Sequence, residues 1–247
     1  MTTDIASDTE MTGTSTVLIL PSEAPRSEPA LIAMRHAAPE RWLLLGAMVA
    51  SGGSLRWLRD LVGEPSFDAL TSDAEREPPG AGGLVFLPYM MGERAPIWDS
   101  DARGVFIGLT LASGRGALAR AVLEGTAFAV RHNVETAAAA GIGVGELRCV
   151  GGGTRSRLWN QIKADVTGLP VLLPETTVGA PFGDAALAAV AAGVHSDVGG
   201  LVGTVRIRER FEPRPEARDR YDSLYGVYRR AYEGLREEFG RLAAAVR

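Results

Sequence analysis

The sequence predicts a mixed α/β fold rich in tight turns, and three observations carry that reading. Short apolar runs such as TVLIL (16–20) and LRCV (147–150) are bounded by Gly, Pro or Ser. Residues 147–173 spell a strand, a glycine turn, a helix and a second strand, a unit whose two strands should lie parallel through a right-handed connection. A long amphipathic helix closes the chain. With 247 residues, of which 46% are apolar and 23% charged, there is material for one large core or two smaller ones. Thirty glycines and fourteen prolines punctuate the apolar runs, as many short turns require.

Taken in order, residues 1–11 are polar and acidic and are expected to be disordered or truncated, with one domain over 12–247. Residues 16–20 and 41–50 read as buried strands joined by a loop or hairpin. Ser54 reads as an N-cap, Leu55, Leu58, Leu61 and Val62 as a helical stripe, and Gly63 as the stop. Residues 67–83, acidic and rich in Pro and Gly, suggest an exposed connection, after which a strand resumes in GLVFLPYMMGER. Beyond Gly116 a long helix places Leu118, Val122, Gly125, Ala129 and His132 on one stripe. Then come a strand at 147–150, a turn at 151–153, a helix at 156–166 stopped by Gly168, and a strand at 171–173. The alanine-rich stretch 182–194 predicts a closely packed helix, and 204–207 a strand. Tyr221, Leu224, Tyr228, Tyr232, Leu235, Phe239, Leu242 and Val246 form the terminal stripe, expected to dock on the domain itself.

A net charge of −4 without a basic face argues against a nucleic-acid partner. One cysteine, Cys149, excludes an internal disulfide and reads as a core thiol. No apolar run approaches the ~20 residues that span a bilayer, and the N-terminus lacks the pattern of a signal peptide, so a cytoplasmic protein is expected.

Three glycine turns are the candidates for chemistry: Gly13-Thr14-Ser15, Gly52-Gly53-Ser54 and Gly151-Gly152-Gly153-Thr154-Arg155-Ser156. Without a Cβ the backbone can approach an anion, its N–H groups can point inward, and a following helix offers the positive end of its dipole. A dinucleotide-binding reading of GGG is weak, because the spacing is not G-x-G-x-x-G. Glu93 and Arg94 suit either an interdomain or substrate-side pair or a solvated ion pair, and Asp99 and Asp101 read as turn residues.

These residues resemble a known family. The stretch GLVFLPYMMGERAPIWDSDARGVFIGLTLASGRGALARAVLEGTAF (83–128) is similar to the C-terminal domain of the FGGY carbohydrate kinases, and 104–124 to one of the family's signature patterns, with Ala117 where a polar residue is usual. The likeness extends through GTST, GAMVASGGSLRWLRDL, GGGTRSRLWNQIKADVTGLPV and GAPFGDAALAAVAAG. It implies a ribonuclease H-like fold shared with actin and hexokinase, with ATP, accompanied by Mg²⁺, in a cleft between two such domains. By the same resemblance Gly13 and Thr14 meet the terminal phosphates, Gly52 and Arg56 lie beside the nucleotide, Gly152 and Gly153 lie under the adenosine, and Ser156 stands where an asparagine contacts adenine.

The resemblance also implies a catalytic aspartate upstream of the GTS turn. Asp4 and Asp8 lie too close to that turn to be assigned that role, so the chain is expected to be the C-terminal half of a kinase of a pentulose or related polyol, xylulose favoured, inactive alone. Its expected partner is an N-terminal kinase domain, in the same chain or another, and homodimers are possible. A non-catalytic actin-like nucleotide-binding or partner-docking module is the other reading. The face left open should include Ile97, Trp98 and residues 87–91.

Overall fold

The computed structural model describes residues 8–38, 40–177, 179–198 and 205–246. Its strands are β1 (Thr9–Thr12), β2 (Thr16–Ser22), β3 (Ile32–Arg35), β4 (Trp42–Met48), β5 (Val85–Leu87), β6 (Val105–Ile107), β7 (Leu147–Val150), β8 (Val171–Pro174) and β9 (Ile207–Phe211). Its helices are α1 (Gly52–Leu61), α2 (Phe67–Glu75), α3 (Arg115–Ala139), α4 (Arg157–Thr167), α5 (Ala180–Ala191) and α6 (Pro215–Val246).

Seven strands form one sheet in the order β3-β4-β2-β1-β7-β8-β9. β1, β2 and β4 are antiparallel neighbours, whereas β7 pairs parallel with β1 and β8 parallel with β7. An antiparallel meander continued by parallel strands is the ribonuclease H-like arrangement that the resemblance implied. It follows from connection length: the β1–β2 turn is three residues, so those strands must reverse, while α4 between β7 and β8 returns the chain to the same direction.

Two cores flank this plan. Leu18, Leu20, Leu44, Leu147, Cys149, Val171 and Leu173 are buried on the sheet against Ala129, Val130 and Ala137 of α3. The first half of α3 packs with α1, α2, α4, β5 and α6 around Phe86, Leu123, Phe128 and four tyrosines of α6. α3 can serve both cores because Gly125 lets it cross β5 closely: a Cβ there would lie 2.3 Å from the Phe86 carbonyl oxygen. On α6, Tyr221, Tyr225, Tyr228 and Tyr232 are buried, and the Tyr228 and Tyr89 hydroxyls share a 2.6 Å hydrogen bond. The terminal stripe thus docks on its own domain as expected, although its last members, Leu242 and Val246, are exposed.

Several expectations are corrected. β1 begins at Thr9, inside the segment expected to be disordered or truncated, because Glu10 and Thr12 alternate inward and the strand is zipped between β2 and β7. Of the two alternatives read between the first strands, loop or hairpin, the hairpin is borne out: β3 pairs antiparallel with β4. Ser54 is not an N-cap: α1 starts at Gly52, and the buried Ser54 hydroxyl donates to the Ala50 carbonyl at 2.6 Å. Residues 67–83 are not simply an exposed connection. Ser66 caps α2 by accepting from the Ala69 N–H at 3.1 Å, and Leu70 and Ala74 are fully buried. α5 does form, but only Ala186 of it is buried, so its alanines cover little. The strand expected at 204–207 is β9, beginning at Ile207, and Thr204 lies outside the described residues.

Candidate functional site

The sheet brings the three glycine turns together at the ends of β1, β4 and β7. Gly13, Thr14 and Ser15 form the exposed β1–β2 turn, closed by a Gly13 N–H donated to the Ser15 carbonyl at 2.8 Å. The start of α1 is fastened to this turn, since the Ser51 and Gly53 N–H groups both donate to the Thr14 carbonyl, at 3.0 and 2.9 Å. A Cβ on Gly52 would stand 2.2 Å from the Gly13 carbonyl oxygen, so only glycine allows this approach.

From the other side comes the turn after β7. Gly151 sits at φ 88°, and a Cβ there would lie 2.5 Å from the Thr12 carbonyl oxygen; one on Gly153 would press on the Thr12 side chain at 2.7 Å. Residues Gly152–Arg155 make one 3₁₀ turn that feeds α4. Ser156 is the N-cap of α4, its hydroxyl accepting from the Trp159 N–H at 3.2 Å. Asn160 donates to the Thr154 carbonyl at 3.0 Å and steadies the turn from within.

What remains open in this cluster suits an anion. The Thr14 and Ser15 N–H groups have no acceptor among the described residues. No atom lies within 4 Å of where a Cβ would stand on Gly13 or Gly152. α1 and α4 both begin here, directing the positive ends of their dipoles toward the cluster. Arg56 lies exposed on the first turns of α1, and Arg155 exposed before α4; neither has a hydrogen-bond or ion-pair partner among the described residues. Backbone donors, helix ends and unpaired guanidinium groups are the donor set a polyphosphate needs.

Beneath the turn is a polar cluster that sequence reasoning missed. Glu10 of β1 and Lys163 of α4 are almost wholly buried and joined at 2.8 Å. Burial works against the Lys163 ammonium, yet the Glu10 carboxylate holds it above its ordinary value. The four-residue strand TEMT is too short for its inward face to show in periodicity, and a lysine on an amphipathic helix reads as solvated; only the pairing of β1 with β7 turns both inward.

The GERAP segment is likewise corrected. Glu93 is not a solvated partner of Arg94: its Oε1 accepts the N–H groups of Val49 and Arg94, each at 2.8 Å, tying the loop to the end of β4. Its Oε2 is buried with no partner among the described residues. Burial pushes this carboxyl up to about 7 despite both backbone donors. Asp99 is a turn residue as expected, its Oδ1 accepting from Asp101 and Ala102 at 2.9 and 3.1 Å. Of the face expected to be open, Met91 and Trp98 are 76% and 50% exposed, but Leu87 and Tyr89 are buried under α6.

A cleft of about 520 Å³, lined by Glu77, Arg120, Arg157, Gln161, Phe211 and Arg214, lies between α2, α4 and β9. Its guanidinium groups are spoken for: Arg120 binds Glu124, Arg157 binds Glu209 and Arg214 binds Asp165.

Comparison with known proteins fixes the family. Residues 11–192 match the model of the FGGY family of carbohydrate kinases, C-terminal domain. This chain belongs to the FGGY carbohydrate kinases. All three glycine turns fall inside the matched residues. The xylulose kinase of Escherichia coli K12 is 34% identical over 226 residues, covering 90% of this chain and 47% of that protein. The glycerol kinase of Thermus brockianus is 40% identical over 197 residues, covering 78% and 38%. The crystal structure of xylulose kinase from Rhodospirillum rubrum superimposes with a TM-score of 0.84 at 34% identity, over 95% of this chain and 48% of that one. This FGGY chain therefore spans about half the length of the relatives it matches.

Proposed function

We propose that this chain is the nucleotide-binding half of an ATP-dependent carbohydrate kinase, acting on a pentulose or related polyol, with xylulose favoured. The observation that carries this reading is the convergence of three glycine turns and two helix N-termini on one open cluster of unpaired backbone donors.

Family membership supports ATP as the ligand, and the donor set fits a polyphosphate. Thr14, Ser15 and Gly52 would face the terminal phosphates, Gly152 and Gly153 the nucleoside side, and Ser156 and Arg56 the adenine and ribose. ATP supplies the phosphoryl group, and Mg²⁺ arriving with it supplies charge neutralisation. The part of this chain is to bind and orient: backbone N–H groups that are already fixed stabilise phosphate charge without reorganising. The base that accepts the sugar hydroxyl proton belongs, on this reading, to an N-terminal kinase domain. Names of xylulose and glycerol kinases among the relatives support the substrate class, and the E. coli and R. rubrum likenesses favour xylulose. Among the described residues no helix is long and apolar enough to cross a membrane, and a cytoplasmic location is part of the proposal.

The test is an ADP-release assay on the isolated chain with Mg²⁺-ATP and D-xylulose, glycerol or gluconate. No sugar-dependent release above background is expected, alongside measurable nucleotide binding. Sugar-dependent turnover by the chain alone would contradict the division of labour, and absence of nucleotide binding would leave a partner-docking module as the better account.

A further inference from the structure

We propose that the buried Glu10–Lys163 pair positions the phosphate-facing turn, acting through Thr12, and this inference rests on the nucleotide reading above. Thr12 and Thr16 are opposite residues closing the β1–β2 hairpin, and both are buried. The Thr12 hydroxyl donates its one proton to Glu10 Oε1 and accepts from Lys163 Nζ at 3.1 Å. Its 3.0 Å contact with the Thr16 hydroxyl must then be a bond that Thr16 donates. One donor and two acceptor positions are all a hydroxyl has, so Thr12 is saturated and its side chain has one orientation. The same Thr12 side chain and carbonyl are what Gly153 and Gly151 pack against. A single network thus fixes α4, the β1–β2 turn and the turn after β7 relative to one another.

Stability does not explain the pair. A buried ion pair loses much of its attraction to desolvation, and apolar residues of similar volume would often serve the fold as well or better. What apolar residues cannot do is orient a hydroxyl. The Nζ of Lys163 also lies 5.1 Å from the centre of the Trp159 ring, so the ammonium is held along α4 as well as across to β1. Glu10, Lys163 and Thr12 are accordingly positioning residues: none is exposed to a ligand, and each sets where Thr14 and Ser15 present their N–H groups.

The experiment compares the wild-type chain with the double variant Glu10→Leu/Lys163→Met, which leaves no unpaired buried charge, and with the isosteric Thr12→Val. Calorimetric titrations with ATP and with adenosine are run beside thermal melts, and ¹⁵N relaxation of the ligand-free chains reports the order of residues 13–15. The inference expects a loosened turn in both variants, with the double variant melting near wild type and Thr12→Val melting lower, because it leaves the buried Thr16 hydroxyl without that acceptor. It also expects ATP affinity to fall by roughly tenfold or more, with adenosine affinity unchanged. A folded double variant whose turn stays as ordered as wild type overturns the inference, whatever ATP does. A loosened turn with no ATP binding even by wild type overturns the nucleotide reading instead. Equal loss of ATP and adenosine affinity also counts against the inference, because it marks general damage rather than misplacement of the phosphate donors.

Discussion

At the scale of single residues, the glycines of the site divide into two kinds that mutation separates. Gly52 is filled space: its Cβ would meet the Gly13 carbonyl oxygen at 2.2 Å, so Gly52→Ala should cost about 1–3 kcal/mol of stability, measured by urea unfolding. Gly152 is open space, and a side chain there should leave stability within about 0.5 kcal/mol while obstructing a ligand. Glu93 gives a pH signature. Its carboxyl titrates near 7 in the folded chain and near 4.5 when unfolded, so between those values the unfolded state is the one that has lost its proton. Its contribution to stability is therefore full below about pH 4.5 and is lost as pH rises toward 7, a change of about 3 kcal/mol. Glu93→Gln should remove that slope; identical pH dependence of unfolding in the variant and the parent would refute the role of burial. Residue identity made the glycine turns legible in the sequence, because glycine is the signal itself. It left Glu93 ambiguous, because whether a carboxylate meets a guanidinium or two backbone amides depends on where β4 ends.

At the scale of elements, the long periodic helices were readable and the short or compensated elements were not. α4 and α6 carry stripes long enough to show a 3.6-residue period, whereas α3 is buried on all sides from Ala119 to Val130 rather than along the one stripe expected, and its length is what made it readable; β7 and β8 are apolar runs bounded by glycine and proline. α2 was hidden because FDALTSDAE buries only Leu70 and Ala74, and acidic residues around them imitate a loop. The alanines of α5 suggested close packing, but a small side chain permits contact without requiring it. α6 holds its place through paired hydroxyls as well as rings: Tyr228 with Tyr89, and Tyr221 with the buried Glu124 at 2.9 Å. Tyr228→Phe leaves the fully buried Tyr89 hydroxyl without that partner and should cost about 1–3 kcal/mol. A chemical melt of that variant indistinguishable from wild type would mean the bond contributes nothing net.

At the scale of the whole molecule, the sheet order explains why distant motifs serve one site. β1 is central, between β2 and β7, so the turns leaving β1, β4 and β7 meet beside it, and the order of motifs along the chain could not by itself show that convergence. The exposed Met91 and Trp98, on one loop closed by the Glu93–Asp99 bridge, form an apolar edge. Such an edge favours association, and Met91→Ser/Trp98→Ser should reduce any concentration-dependent growth in light scattering. The central claim is that the glycine turns together bind an adenine nucleotide. On the proposed function this chain supplies one side of the nucleotide cleft, so phosphates bound to it alone stay partly hydrated and affinity should be modest, in the high micromolar to millimolar range, or about 4–6 kcal/mol. The most direct measurement is isothermal calorimetry of Mg²⁺-ATP binding to the wild-type chain and to Gly152→Val, with thermal melts of both. The account predicts saturable binding by wild type and none by Gly152→Val at an unchanged melting temperature. Equal binding by the two chains, or no binding by wild type at several millimolar ATP, on the order of the weakest affinity expected, would contradict it.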